Sequence, residues 1–337
     1  MENNLNKTPS QEYLLQDFLS QWHKGNGIKV CTSGSTGTPK EIILSNDMMT
    51  RSARRTNRHF GITKSSHLHS AISFEYIGGK MMIVRSILAG CRLSFSTPSL
   101  SPSLPADGGL IDVISVVPAQ MIHILDHPED YMNIKNFLIG GSSIDSRLWD
   151  RIVDAGLNAW ESYGMTETAS HIALRRVTGS SEKRPRFVPL KGVKVKSDFE
   201  DRLHINMDNE FFPTNDLADV FPDGSFTING RLDNMIISGG LKINPVLLER
   251  KLQPYLEDLI DTFFISSVPD EIWTSKIILV AKPINETLHS AEDLQKKIKD
   301  ILDNIPADIL SPKFRPKEIR LVDKLTYTDS GKLLRKI

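Results

Sequence analysis

From residue 28 to residue 165, short apolar runs rich in β-branched residues alternate with segments of helical apolar spacing, and this alternation constrains the fold most. QEYLLQDFLSQW at 11–22 has the spacing of an amphipathic helix. IKV and EIIL flank a glycine-rich turn, 46–59 reads as helix, and GGKMMIVRSILA at 78–89 as a buried helix. CRLSF at 91–95, DVISVV before Pro118, FLI at 137–139 and the segment opening NAWES read as strands. Helices follow Pro118 and cover 146–156, and a Ser/Pro-rich loop spans 96–109. Buried strands separated by helical crossovers imply an α/β core around a largely parallel sheet. From about 186 to 231 the pattern becomes short strands and turns, with a hairpin at FPDGSFTING. Beyond Asp233 it becomes an α+β module with a Pro-led helix (NPVLLERKLQPYL) and a charged helix (AEDLQKKIKDIL). The expected organisation is a large domain over 1–232, with mostly parallel sheets and a β-rich subdomain, and a small α+β domain over 233–337.

Lys plus Arg and Asp plus Glu number 41 each, so no global field draws the chain to nucleic acid or an acidic membrane. No stretch approaches the ~18 apolar residues of a membrane span. The polar opening MENNLNKTPSQEY lacks the apolar core of a secretory signal. Cys31 and Cys91 stand apart from any Cys/His cluster, which argues against a zinc site and suits a reducing compartment. A cytoplasmic location is expected.

TSGSTGTPK at 32–40 packs hydroxyls, glycines and a lysine into one turn between two apolar segments. Glycines let several backbone N–H groups face one anion, hydroxyls add donors, and Lys40 adds charge. It is not the Walker pattern, since Lys40 follows Pro39. The segment resembles the phosphate loop of the acyl-adenylate-forming, AMP-binding superfamily. Further segments fall in that family's order: Gly140-Gly141, YGMTE at 163–167, TNDLAD at 214–219, GRLDNMIISGG from 230, and TDSGKLLRK at 328–336. The resemblance covers nearly the whole chain from about residue 28.

That resemblance implies ATP, Mg2+ and CoA as ligands. Thr32, Ser33, Gly34, Ser35, Thr36, Gly37 and Lys40 would cradle the phosphates. Gly140, Gly141, Tyr163 and Gly164 would wall the adenine, and Thr166 and Glu167 would face the reaction centre, with Glu167 on Mg2+. Mg2+ is usually held by one or two carboxylates plus phosphates; a helix-terminal carboxylate is the plainer reading of Glu167. Asp216 would accept from the ribose hydroxyls, although Asn215 replaces the usual glycine before it. Arg231 would add a cation nearby. Lys332 would stabilise charge as the acid attacks the α-phosphate. Asp233 aligns with the hinge about which the C-terminal domain rotates, and Gly239 and Gly240 would leave room for the thiol.

The phosphate loop comes early for this family, so the N-terminal part resembles a shortened version. Within the family, TETASHI is similar to the Thr-Glu-Thr-x-Ser-Gln stretch of the o-succinylbenzoate–CoA ligases of menaquinone biosynthesis. The acyl pocket would then take Tyr76, where the family carries histidine, with Gly79, Arg85, Ser170 and His171. Arg85 interrupts an apolar helix, and a buried arginine is costly unless paired. Its partner would be the second carboxylate of a dianionic acid or, equally, a protein acid. Two further readings stay open: adenylation of another aryl or alkyl acid or delivery to a carrier protein, and an inert nucleotide-binding protein. Homodimerisation is one way to cover the space of the shortened region.

Overall fold

A computed structural model describes residues 9–31, 40–207, 210–271, 273–284, 290–326 and 333–335. Backbone contacts divide the chain into two units, residues 1–193 with 330–332, and residues 194–329 with 333–337.

The first unit opens with helix α1 (Gln11–Lys24) and the antiparallel pair β1 (Ile28–Cys31) and β2 (Glu41–Leu44). Then follow α2 (Asn46–Phe60), β3 (His67–Ser70), α3 (Ile77–Ala89), β4 (Arg92–Phe95), β5 (Val113–Val116), α4 (Pro118–Asp126), β6 (Phe137–Ile139), α5 (Ser146–Asp154), β7 (Ala159–Met165), β8 (Ser170–Arg176) and β9 (Val188–Pro189). The helix ends are written in the sequence. Ser10, Ser45 and Asp145 accept first-turn N–H groups, and Gly25, Gly61 and Gly90 close helices in the left-handed conformation.

Seven strands form one sheet in the order β4-β3-β5-β6-β7-β8-β9. β4 to β7 run parallel, and β8 and β9 are added antiparallel. Met82 of α3 packs with Leu68, Val113 and Leu138 on one face. Met121 of α4 and Trp149 of α5 pack with Ile114, Phe137 and Ile139 on the other. Helices therefore cover both faces, and the strands β3, β5 and β6 are buried throughout. Two strands escape the sequence reading. β3 is His-Leu-His-Ser and lacks the β-branched signature, and β8 follows the YGMTE turn immediately.

The second unit starts with an antiparallel meander, β10 (Lys194–Ser197), β11 (Arg202–Asn206), β12 (Phe211–Val220) and β13 (Phe226–Arg231). The expected hairpin joins β12 to β13. A short hairpin of β14 (Ile236–Ser238) and β15 (Leu241–Ile243) precedes α6 (Pro245–Leu256). β16 (Ile260–Asp270), β17 (Thr274–Pro283), α7 (Ala291–Asn304) and β18 (Glu318–Leu321) complete it. Leu248, Leu252 and Leu256 of α6 and Ile298 and Leu302 of α7 pack on Ile265, Ile277 and Leu279 of the β16–β17–β18 sheet.

Candidate active site

In an open α/β sheet, ligands bind outside the carboxyl ends of the parallel strands. β6 ends at Ile139 and runs into Gly140 and Gly141, the latter at φ 91°. A Cβ on Gly140 would stand 3.0 Å from Ser162 Oγ, which bonds the Ile139 carbonyl. β7, paired to β6 through Ile139 and Glu161, carries Tyr163 and Gly164 at its carboxyl end. Tyr163 is half-buried with its ring 5.8 Å from that of Phe187. A single 3-10 turn, Thr166–Thr168, follows. Glu167 is exposed there beside half-buried Thr166. A hard oxygen donor reaching solvent beside a hydroxyl suits Mg2+.

The segment between this turn and β8 is strained: Ala169 and Ser170 have φ of 50° and 83°. It is pinned in place. Thr168 Oγ1 accepts from Met165 N–H at 3.0 Å and lies 2.6 Å from the Ser170 carbonyl. Ser52 Oγ of α2 donates to the Ala169 carbonyl at 2.7 Å. Gly164 lies so close that a Cβ would be 2.3 Å from Ser170 O and 2.4 Å from His171 Cα.

Arg85 of α3 is 1% exposed. Its NH1 donates to Met82 Sδ at 3.3 Å. NH2 donates to Ser170 Oγ and to His171 Nδ1, both at 3.4 Å. Among the described residues no carboxylate pairs with it, and Nε has no partner. Burial pulls its pKa down to about 9. A protein acid as its counter-ion, one of the two expected alternatives, is thus not found among the described residues. His171 is held well below the usual imidazole pKa, first by burial and then by Arg85 and His59. Its Nε2 meets Thr56 Oγ1 at 3.0 Å, and Asn57 Nδ2 donates to the Arg85 carbonyl at 2.9 Å. Thr56 and Asn57 escape the sequence reading because they sit in a polar, basic stretch that looks like a solvated face.

Tyr76 is the half-buried residue capping α3, its carbonyl accepting from Lys80 N–H at 3.0 Å. Gly79 has a packing reason to be glycine, since a Cβ would stand 2.3 Å from the Ser73 carbonyl. Lys40 is exposed just before β2.

In the second unit, Asp216 and Arg231 are paired across the β12–β13 ladder. Arg231 NH1 reaches Asp216 Oδ1 at 3.2 Å, while its Nε and NH2 hold both oxygens of Asp233 at 2.9 and 2.8 Å. Gly239 and Gly240, at φ 55° and 78°, form the two-residue turn of the β14–β15 hairpin, a geometry that needs positive φ at both positions. Leu333–Arg335 is tied down by Arg335, which grips the Glu249 carboxylate with both terminal nitrogens, NH2 to Oε2 at 2.8 Å. Lys332 itself and the loop residues Thr32, Ser33, Gly34, Ser35, Thr36 and Gly37 lie outside the described residues. No described helix is long and apolar enough to cross a membrane.

Residues 30–201 match the family model described as AMP-binding enzyme. A 2-succinylbenzoate–CoA ligase from Listeria monocytogenes serovar 1/2a is 27% identical over 354 residues, covering 96% of this chain and 72% of its own length. The ligase of that name from Enterococcus faecalis is 24% identical over 335 residues, covering 90% of this chain and 67% of its own. Among solved structures, an AMP-forming acyl-CoA synthetase/AMP-acid ligase II-like protein from Dyadobacter fermentans superposes with a TM-score of 0.61 at 28% identity. That match covers 97% of this chain and 94% of the other. The o-succinylbenzoate–CoA synthetase of Bacillus subtilis, in complex with its acyl-adenylate, shares the fold with a TM-score of 0.72 at 22% identity, covering 91% of this chain and 67% of its own.

Proposed function

The chain belongs to the AMP-binding enzyme family, and from that premise we propose that it is an ATP-dependent acid–CoA ligase acting on o-succinylbenzoate. The acid's carboxylate oxygen attacks the α-phosphorus of ATP, the bond to pyrophosphate breaks, and an acyl-AMP forms. The CoA sulfur then attacks the acyl carbon, the bond to AMP breaks, and the thiol proton leaves to solvent. Gly140, Gly141, Tyr163 and Gly164 bind the adenine, Asp216 and Arg231 the ribose, and Lys40 and the residues before it the phosphates. Glu167 would hold Mg2+, which neutralises phosphate charge. Thr166 orients the phosphate, and Lys332 stabilises the charge that develops during attack, electrostatic help worth roughly 3 kcal/mol or more in a site closed to water. Asp233 is the hinge of a C-terminal domain that would begin there, and Gly239 and Gly240 leave room for the thiol.

The observation that carries the choice of acid is Arg85. A buried guanidinium whose contacts among the described residues are all neutral and long has a large unmet demand for an anion. An acid with a second carboxylate meets it; a simple fatty or aryl acid does not. The names of the Listeria and Enterococcus relatives support the same acid. Pyrophosphate release measured over a panel of acids, with and without CoA, tests the proposal. Release that depends on o-succinylbenzoate, with CoA consumed afterwards, is expected. Release with monocarboxylic acids alone sinks the substrate assignment, and acyl-AMP that accumulates with CoA but is consumed by a carrier protein changes the acceptor.

A further inference from the structure

Arg85 can only donate hydrogen bonds, so its long contact at 3.4 Å favours an unprotonated His171 Nδ1 without fixing it alone. The proton of a neutral imidazole then sits on Nε2. The other end of the chain requires the same state. Thr56 Oγ1 lies 3.3 Å from the Ser52 carbonyl one turn back in α2, where its hydroxyl proton has an acceptor. Its lone pair therefore faces His171 Nε2–H at 3.0 Å. Both ends specify one tautomer, inside a cluster where Thr56 is 0%, Arg85 1%, Ser52 2% and His171 5% exposed.

The opposite end of the relay reaches the site. Arg85 NH2 also donates to Ser170 Oγ. An oxygen that accepts from a cation has its own O–H left to point elsewhere, and Ser170 is the half-buried member of the set. Among the described residues every group touching the guanidinium is neutral, so its charge is oriented without being cancelled by them. A carboxylate meeting the Ser170 O–H feels that charge through the hydroxyl.

We propose that Thr56 is a positioning residue that sets the acid specificity of this site: by fixing His171 in its Nε2–H form it aligns Arg85, which holds Ser170 as a hydrogen-bond donor toward the acid's second carboxylate. The proposal rests on the dicarboxylate reading above and adds the residues that enforce it. Arg85 reads the substrate through Ser170, and His171 supports Arg85 from below.

Thr56→Val keeps the side-chain shape and deletes the acceptor; Thr56→Ser restores it. With Thr56→Val, KM for o-succinylbenzoate rises about tenfold, the effect of roughly one hydrogen bond. KM for ATP and for the monoanionic analogue that keeps the reacting carboxylate but carries hydrogen in place of the second stays within about twofold of wild type on the same scale. Thr56→Ser recovers the wild-type preference. An unchanged KM for the dicarboxylate, or an equal rise for ATP, overturns the proposal, because a general packing defect does not select between acids. A second readout needs no turnover. Long-range proton–nitrogen NMR correlations of His171 at neutral pH show the Nε2–H tautomer in wild type and lose its dominance in Thr56→Val. An Nδ1–H spectrum in wild type defeats the relay whatever the substrate. A correct tautomer without pyrophosphate release on o-succinylbenzoate defeats only the substrate reading.

Discussion

Gly164 and His171 face each other across the β7–β8 ladder so closely that an added Cβ would lie 2.4 Å from the His171 Cα. The neighbouring atoms are backbone, so no side chain can swing aside. Gly164→Ala should cost about 1–3 kcal/mol, as overpacking does. A fall in Tm by calorimetry checks the stability. A matching rise in KM for the acid checks that the strained Ala169–Ser170 segment belongs to the acyl site.

Arg85→Met should separate stability from recognition. Replacing a buried, uncompensated cation by an apolar side chain of similar length is often neutral or stabilising. Tm should hold or rise, while KM for o-succinylbenzoate should rise by roughly tenfold or more, the scale of one hydrogen bond, because Ser170 loses the cation that orients its hydroxyl. A large fall in Tm would return Arg85 to a purely structural role.

Acid should destabilise the first unit through its histidines. His69 is 1% exposed, and its Nδ1 shares the Ser94 hydroxyl with His67 Nε2, at 2.8 and 2.7 Å. Burial first, then His67, pulls its pKa down to about 4. The unfolded chain titrates near pH ~6.5, so above that the neutral native form is fully favoured. As pH falls from there toward 4, the unfolded chain takes up protons that the native state refuses, and stability is lost. The loss from this residue should approach about 3 kcal/mol near the bottom of the window. His69→Gln should flatten a plot of Tm against pH.

Lys332→Ala should reduce pyrophosphate release by about a hundredfold or more and leave KM for ATP nearly unchanged. Glu249→Gln should give a weaker version of that defect, because Glu249 grips Arg335 three residues beyond Lys332. Equal pyrophosphate release by wild type and Lys332→Ala would remove this lysine from the chemistry.

Asp216→Asn should raise KM for ATP about tenfold with little change for the acid. Arg231 keeps its two bonds to Asp233 in that variant, so the ladder should hold and Tm should fall little. A change in acid selectivity instead would contradict a ribose role for Asp216.

The parallel-rich core was legible because β5 and β6 are buried throughout and so read as largely apolar runs, and because helix caps such as Ser45 and Asp145 mark where the intervening helices begin. β3 was not, since its inward polar side chains are satisfied by cross-strand partners such as Ser94 that only the fold brings near. Arg85 stood out as a charge within an apolar helix. Its supporting residues did not: Thr56 and Asn57 are separated from it by about thirty residues of chain and look like surface positions until α2 is laid against α3. Gly79 could be read as pocket lining, whereas the close Ser73 carbonyl supplies a packing reason that spacing alone does not reveal.

The sheet of the first unit finishes on β9, two residues long and closed by Pro189, with Val188 60% exposed. A proline has no N–H to offer a newcomer, and two residues give almost no template for one. At this border a second molecule finds an oily side chain without a backbone ladder to grow along. Crowding the protein in concentrated solution should therefore produce loose, reversible sticking at this border rather than fibrous extension of the sheet.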